Sequence, residues 1–270
     1  MSINRPLVSV IIPAYNVAEK IVSLLDEIMQ QTLEDWELIL VDDGSTDDTL
    51  EVLEQYRSDS RVSIIAQANR GASAARNAGL RMAQGEYLMF FDSDDDVTTD
   101  ILEKMVSAAK KNPGALVVCG KQVGKKKLMP DKSGLVEGNV KEHVVTSILK
   151  NGLLYSPCNK IYRTRTIQRN NITFPDSVVY GEDLIFNLAY LEHMDSVYYI
   201  KQALYKYNLS GGGASAKSKG VNEYRTKMLA ALRRYIGNDM NARIAATVQL
   251  IKARWNLSVK KAQLFGRKRG

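Results

Sequence analysis

Two short acidic runs stand directly after apolar stretches. Asp42-Asp43-Gly44-Ser45 follows Glu37-Leu38-Ile39-Leu40-Val41, and Asp92-Ser93-Asp94-Asp95 follows Tyr87-Leu88-Met89-Phe90-Phe91. Carboxylates crowded within a few ångströms disfavour joint ionisation, so a cation or a set of hydrogen-bond donors must compensate them. A divalent metal meets that need, because Mg²⁺ and Mn²⁺ take oxygen ligands, often one or two carboxylates together with substrate phosphates. In Asp92-x-Asp94 one carboxylate can hold the metal while its neighbour reaches a ribose hydroxyl or a metal-bound water. An Asp-x-Asp triplet alone is common in solvated turns, and Asp43 alone reads equally as an Asx turn or a cap before Asp47. Placement after an apolar strand is what sets both runs apart.

The elements around them follow an alternating plan. Short β-branched or apolar runs at 8–12, 37–41, 62–66, 87–91 and 116–119 predict strands. Between them, helices are predicted at 19–31, 47–56, 73–81 (with Ser73 as cap) and 100–111, the last stopped by Asn112-Pro113-Gly114. This order predicts an α/β fold with a mostly parallel sheet flanked by helices, which binds ligands at the carboxyl ends of its strands. Further on, turns around short strands are expected over 121–137, helices at 140–150, 164–170 and 182–191, and strands at 197–200 and 204–207. The Ser210-Gly211-Gly212-Gly213 stretch reads as a linker or a loop closing over substrate. Apolar positions at helical spacing then predict two amphipathic helices, one through Tyr224, Met228, Leu232 and Tyr235 and one through Met240 to Val259. Three parts result: 1–120 as a nucleotide-binding half, 121–221 as an acceptor-binding half, and 222–270 as a basic helical tail.

Charge sharpens that division. The net +7 combines an acidic front, with 10 basic and 20 acidic side chains in 1–120, a middle with 15 and 8 in 121–221, and a basic back, with 12 and 2 in 222–270. A basic tail suits nucleic acid, anionic lipid or phosphorylated substrate, and is equally a solvated helix face. The apolar runs fall far short of the roughly 20 residues that span a bilayer. No secretory signal is evident at the amino terminus, so a cytoplasmic protein is expected. Cys119 and Cys158 lack metal-ligand spacing and read as reduced thiols.

Four ordered motifs together resemble a known family. They are Val8-Ser9-Val10-Ile11-Ile12-Pro13-Ala14-Tyr15-Asn16, Val41-Asp42-Asp43-Gly44-Ser45-Thr46-Asp47, Asn69-Arg70-Gly71-Ala72-Ser73-Ala74-Ala75-Arg76-Asn77, and Gly85-Glu86 through Asp95. The set is similar to the family 2 glycosyltransferases of GT-A fold, inverting enzymes that use nucleotide sugars. Pro157-Cys158-Asn159-Lys160-Ile161-Tyr162 and Gly181-Glu182-Asp183-Leu184 look like the acceptor half of bacterial polysaccharide members. The resemblance implies roles by position. Pro13 and Tyr15 would receive uracil and ribose, Asp43 would accept from the uracil ring, and Arg76 would lie near base and phosphates. Asp92 would be the ribose-proximal acid, with Ser93 in the same nucleotide-binding set, and Asp94 the ligand to Mn²⁺ or Mg²⁺. Asp183 would deprotonate the acceptor hydroxyl; without the resemblance it reads as a helix amino-terminal charge.

The expected reaction is transfer of a sugar, from a UDP-sugar, to a hydroxyl of a glycan or lipid-linked acceptor. Processive relatives add membrane helices and a Gln-x-x-Arg-Trp motif, whereas here Gln249 and Arg254-Trp255 are separated by four residues. One sugar per encounter is therefore expected. The tail would lie on an anionic membrane at its inner face, pack on the domain, or form a homodimer. A sugar-nucleotide nucleotidyltransferase would share the fold but opens with a glycine-rich loop, where this chain has Pro13-Ala14-Tyr15-Asn16. A nucleic-acid partner is not expected, because the acidic front would have no role in it.

Overall fold

The computed structural model describes residues 5–136, 138–150, 152–176, 181–208, 221–238 and 249. Its first half alternates β1 (Val8–Ala14), α1 (Ala18–Met29), β2 (Trp36–Asp42), α2 (Thr49–Glu54), β3 (Val62–Ala66), α3 (Ala72–Met82), β4 (Tyr87–Phe90), β5 (Asp96–Val97) and α4 (Ile101–Lys111). The second half adds β6 (Ala115–Val123), β7 (Lys126–Leu128), β8 (Gly134–Val136), α5 (Val140–Lys150), β9 (Lys160–Arg163), α6 (Thr164–Arg169), α7 (Glu182–Leu191), β10 (Ser196–Tyr207) and α8 (Val221–Ile236). One sheet runs in the order β3-β2-β1-β4-β9-β6-β10-β5, with β7 on β6 and β8 on β10.

Strands β1 to β4 pair in parallel, as do β6 and β10, and the antiparallel β9 joins the two groups between β4 and β6. Period-two alternation divides the sheet's side chains between two cores. Val10, Ile12, Leu38, Leu40 and Met89 meet α1 and α4 on one face, while Ile11, Ile39, Val41 and Phe90 meet α3, α5 and α7 on the other. Each fully buried aliphatic side chain contributes about 1.5–3 kcal/mol. The second core holds Phe90 edge-on to Tyr162, Phe174 and Phe186 at 5.9, 5.1 and 5.6 Å. Helix α3 lies unusually close to β1: a Cβ on Gly79 would stand 2.5 Å from Ile11 Cγ2.

Several expectations change in detail. The runs 197–200 and 204–207 are one strand, β10, whose register against β6 shifts between Ile200, Ala203 and Tyr205. The polar Lys201-Gln202 pair that reads as a break is accommodated as a bulge. Strands β5 and β9 were not expected, being two and four residues long. Ser73 does not cap α3; the helix starts one residue earlier behind Gly71, and Ser73 is buried within it. The predicted helix through Tyr224 to Tyr235 is α8, which buries Met228, Leu232 and Tyr235 among the side chains of the second core. Arg234 joins it to Glu192 at 3.1 Å. The glycine-rich stretch and the helix through Met240 to Val259 lie outside the described residues. No described helix is long and apolar enough to cross a membrane.

Candidate active site

The carboxyl ends of β1, β2 and β4 meet where the parallel strands stop. Pro13 lies within β1, buried and in register with Val41, so its ring is part of the sheet. Tyr15, just beyond, is 47% exposed and offers a free aromatic face. Asn16, with a positive φ of 52°, ties the first two strand ends together: its N–H donates to Ser45 Oγ (3.0 Å) and its Oδ1 accepts from the Thr46 N–H (2.8 Å).

Asp43 is buried and already rich in donors. Its carboxylate accepts from Gln67 Nε2 (2.7 Å), the Arg70 N–H (3.0 Å) and the Gly71 N–H (2.7 Å). The side chain thereby fixes the chain entering α3. Gly44 is required for the same approach, since it has φ of 71° and a Cβ there would stand 2.7 Å from the Asn69 nitrogen.

Arg76, carried by α3, is 5% exposed, lies over the Phe174 ring and bridges two acids. Nη2 donates to Asp92 at 2.7 Å and Nη1 to Asp183 at 3.3 Å. One guanidinium thus brings the acid at the end of β4 and the acid opening α7, 91 positions later, to the same place. Fork geometry explains the choice of arginine, because a lysine ammonium cannot present two well-separated donors in a plane.

The second acidic run is organised by the end of β10. Tyr205 OH donates to Asp95 Oδ2 and accepts from the Asp92 N–H at 3.3 Å. Asn208 N–H donates to Asp95 Oδ1 (2.8 Å), and Asn208 Nδ2 donates to the Asp94 carbonyl (3.0 Å). Burial, then the Asp92 charge, pushes the Asp95 carboxyl up to about 8. Asp95, Tyr205 and Asn208 escape sequence reading because their contacts span more than 100 positions; only the Asp95 spacing hints at a role. Ser93 is buried, whereas Asp94 is partly exposed.

A metal ion fits this donor set. Among the described residues no group of three His, Cys, Asp or Glu side chains can hold one by itself. Mg²⁺ and Mn²⁺ do not need such a cage, since one carboxylate with phosphates and water suffices. The Asp94 carboxyl is held above the usual range by burial and then by the Asp92 charge, the strain that a bound cation relieves.

Asp183 lies in the first turn of α7 behind Gly181, whose φ is 82°. Burial raises its proton affinity, the Arg76 charge opposes this, and Asp92 adds to it. Its neighbour Glu182 is pushed up to about 7, first by burial and next by the Asp183 charge, and has a buried Oε2 with no hydrogen-bond partner.

Known proteins share this sequence pattern and fold. The profile of the family described as "Glycosyl transferase family 2" matches residues 9–170. EpsJ of Bacillus subtilis, an uncharacterised glycosyltransferase, is 33% identical over 209 residues, which are 75% of this chain and 61% of that protein. The chain therefore spans about three-fifths of that curated relative's length. TarP of Staphylococcus aureus, a poly(ribitol-phosphate) β-N-acetylglucosaminyltransferase, is 30% identical over 88% of this chain and 69% of its own. The structure of S. aureus TarS 1-349 in complex with UDP-GlcNAc superposes with a TM-score of 0.74 at 25% identity, covering 89% of this chain and 68% of that one.

Proposed function

Because the chain belongs to glycosyl transferase family 2, we propose that it moves a sugar from a nucleoside-diphosphate donor, a UDP-sugar, to a hydroxyl of a glycan or lipid-linked acceptor in surface polysaccharide or cell-wall glycan synthesis. The observation that carries this reading is the Arg76 bridge, which sets a nucleotide-facing acid and a candidate base on one guanidinium. Tyr15 offers a face on which a base ring stacks. Asp92, about one-quarter exposed, is placed to accept from a ribose hydroxyl with Ser93 beside it. Asp43 braces the loop at 67–71, so a contact to uracil would use whatever acceptor capacity its three protein donors leave.

Asp94 would hold Mn²⁺ or Mg²⁺, which when bound offsets negative charge on the departing diphosphate. Asp183 accepts the proton as the acceptor oxygen bonds to the anomeric carbon, and the electron pair of the broken C–O bond leaves with the diphosphate. Arg76 keeps that carboxylate ionised and aimed. A single displacement with one base inverts the anomeric centre.

Incubation with UDP-glucose, UDP-N-acetylglucosamine, UDP-galactose and GDP-mannose is expected to release nucleoside diphosphate from at least one. Exchange of pyrophosphate into a nucleotide sugar, without such release, would instead indicate a nucleotidyltransferase.

Two further results are expected. Asp94→Ala should weaken donor affinity tenfold or more, about 1.4 kcal/mol, and lower transfer with it, as read by calorimetric titration with UDP and Mn²⁺. An unchanged affinity would remove Asp94 as ligand. The rate should also fall on acidification earlier than for an ordinary carboxylate base. Burial raises the proton affinity of Asp183, with Arg76 opposing and Asp92 adding to it, so the base is lost at a higher pH than an ordinary carboxylate would be. A pH–rate profile with its acid limb at or below pH ~4 would contradict this.

A further inference from the structure

Lys160 is wholly buried on β9 and has no carboxylate partner among the described residues, although an unpaired buried charge is costly. Its ammonium is instead saturated by oxygens of one short loop and its own neighbour. Nζ donates to the Leu153 carbonyl (2.6 Å), the Ser156 carbonyl and Asn159 Oδ1 (2.9 Å). The two carbonyls between are taken by Asn187, whose Nδ2 donates to Leu154 O (3.0 Å) and Tyr155 O (2.8 Å). Four consecutive backbone carbonyls, 153–156, are therefore held by two fully buried side chains. Tyr162 OH donates to Asn187 Oδ1 at 2.6 Å and Asn159 Nδ2 to the Cys119 carbonyl at 2.7 Å, anchoring the clamp to β9 and β6.

This arrangement reaches the site through α7. Asn187 stands four residues after Asp183, one helical turn along, so both share a face of the helix. The loop ends at Cys158, whose buried thiol is close enough to Asp92, Arg76 and Asp183 to feel all three charges. A methionine would fill the volume of Lys160 but would remove its hydrogen bonds to the Leu153 and Ser156 carbonyls.

We propose that Lys160 is a positioning residue for the transfer reaction: with Asn187 it pins the 153–156 carbonyls against the Asp183 face of α7 and sets the aim of that carboxylate. The inference rests on reading Asp183 as the base. Three acceptors match the three N–H bonds of an ammonium, so the clamp favours the charged form, although burial and then Lys121 pull its pKa down to about 7. That charge lowers the proton affinity of Asp183, together with Arg76 from α3 and Lys121 from β6, while Asp92 beyond β4 raises it. Glu182 adjoins Asp183 on the same helix, and the Asp183 charge adds to its raised proton affinity.

The test uses the full chain and UDP release from UDP-N-acetylglucosamine, with Lys160→Met, Asn187→Ser and Asp183→Asn compared to wild type. Lys160→Met should lower kcat by up to about 10²-fold with the donor KM nearly unchanged, the cost of misaiming a reacting group by about an ångström. Its acid limb should also move to higher pH, since a charge that favours ionised Asp183 is gone. Asn187→Ser should lower kcat without moving the limb. Thermal unfolding and UDP binding establish which variants fold, and either folded variant decides the matter. Wild-type kcat in a folded variant overturns the inference, as does a Lys160→Met profile with an unmoved acid limb. Activity retained in Asp183→Asn would sink the base assignment instead, independently of Lys160.

Discussion

Asp183→Asn should bind nucleotide as the wild type does and yet transfer no measurable sugar. The amide is nearly isosteric with the carboxylate, and its oxygen still accepts from Arg76 Nη1, which lies 3.3 Å from Asp183 Oδ1 in the native chain. What it loses is the ability to accept a proton as the acceptor oxygen attacks, a step that typically contributes about 10² to 10⁴ in rate. Arg76 retains its contact with Asp92, so the fold should be little disturbed. Diphosphate release over a range of donor concentrations separates the two effects: kcat collapses while the donor KM stays. A variant with kcat within twofold of wild type would place the base elsewhere.

Arg76→Met should damage stability and catalysis together. The arginine is 6% exposed in its side chain, and its removal leaves Asp92 and Asp183 facing each other without a cation between them. Stripping one partner from a buried ion pair typically costs about 3–5 kcal/mol; the loss here should lie toward or below the lower figure, since the carboxylates are 25% and 28% exposed. Each carboxylate then raises the other's proton affinity, so the acid limb of the rate should move to higher pH. Arg76→Lys should fail to restore either property, because one ammonium cannot serve both acids in a plane. A Tm within a degree or two of wild type, with an unaltered pH profile, would show that the bridge is unimportant.

Much of this arrangement was legible in the sequence, and the limits have physical causes. The runs ending at Val41 and Phe91 are apolar enough to be strands in isolation, so the acids after them had to lie at a sheet end. Asp92, Asp94 and Asp183 are carried to one region by that logic together with the family motifs. The burial of Arg76 is not legible in the sequence; it depends on Gly79, which lets α3 approach Ile11, and on Phe174 beneath the guanidinium. Neither contact is local. The bracing of Asp95 by Tyr205 and Asn208 is likewise a product of β10 pairing with β6, a register that no spacing rule reveals. Lys160 stood in plain view in Pro157-Cys158-Asn159-Lys160, but composition marks a lysine as exposed. Only the four pinned carbonyls explain why this one is inside.

Asp92 and Asp94 are proposed to face an activated sugar's diphosphate, with Asp183 joined to the same place through Arg76. A crystal structure of this chain with UDP and Mn²⁺ tests that most directly. The ion should lie about 2.1 Å from an Asp94 oxygen and from the diphosphate, with the ribose beside Asp92 and the terminal phosphate turned toward Asp183. Nucleotide bound elsewhere, with both aspartates directed into solvent, would contradict it.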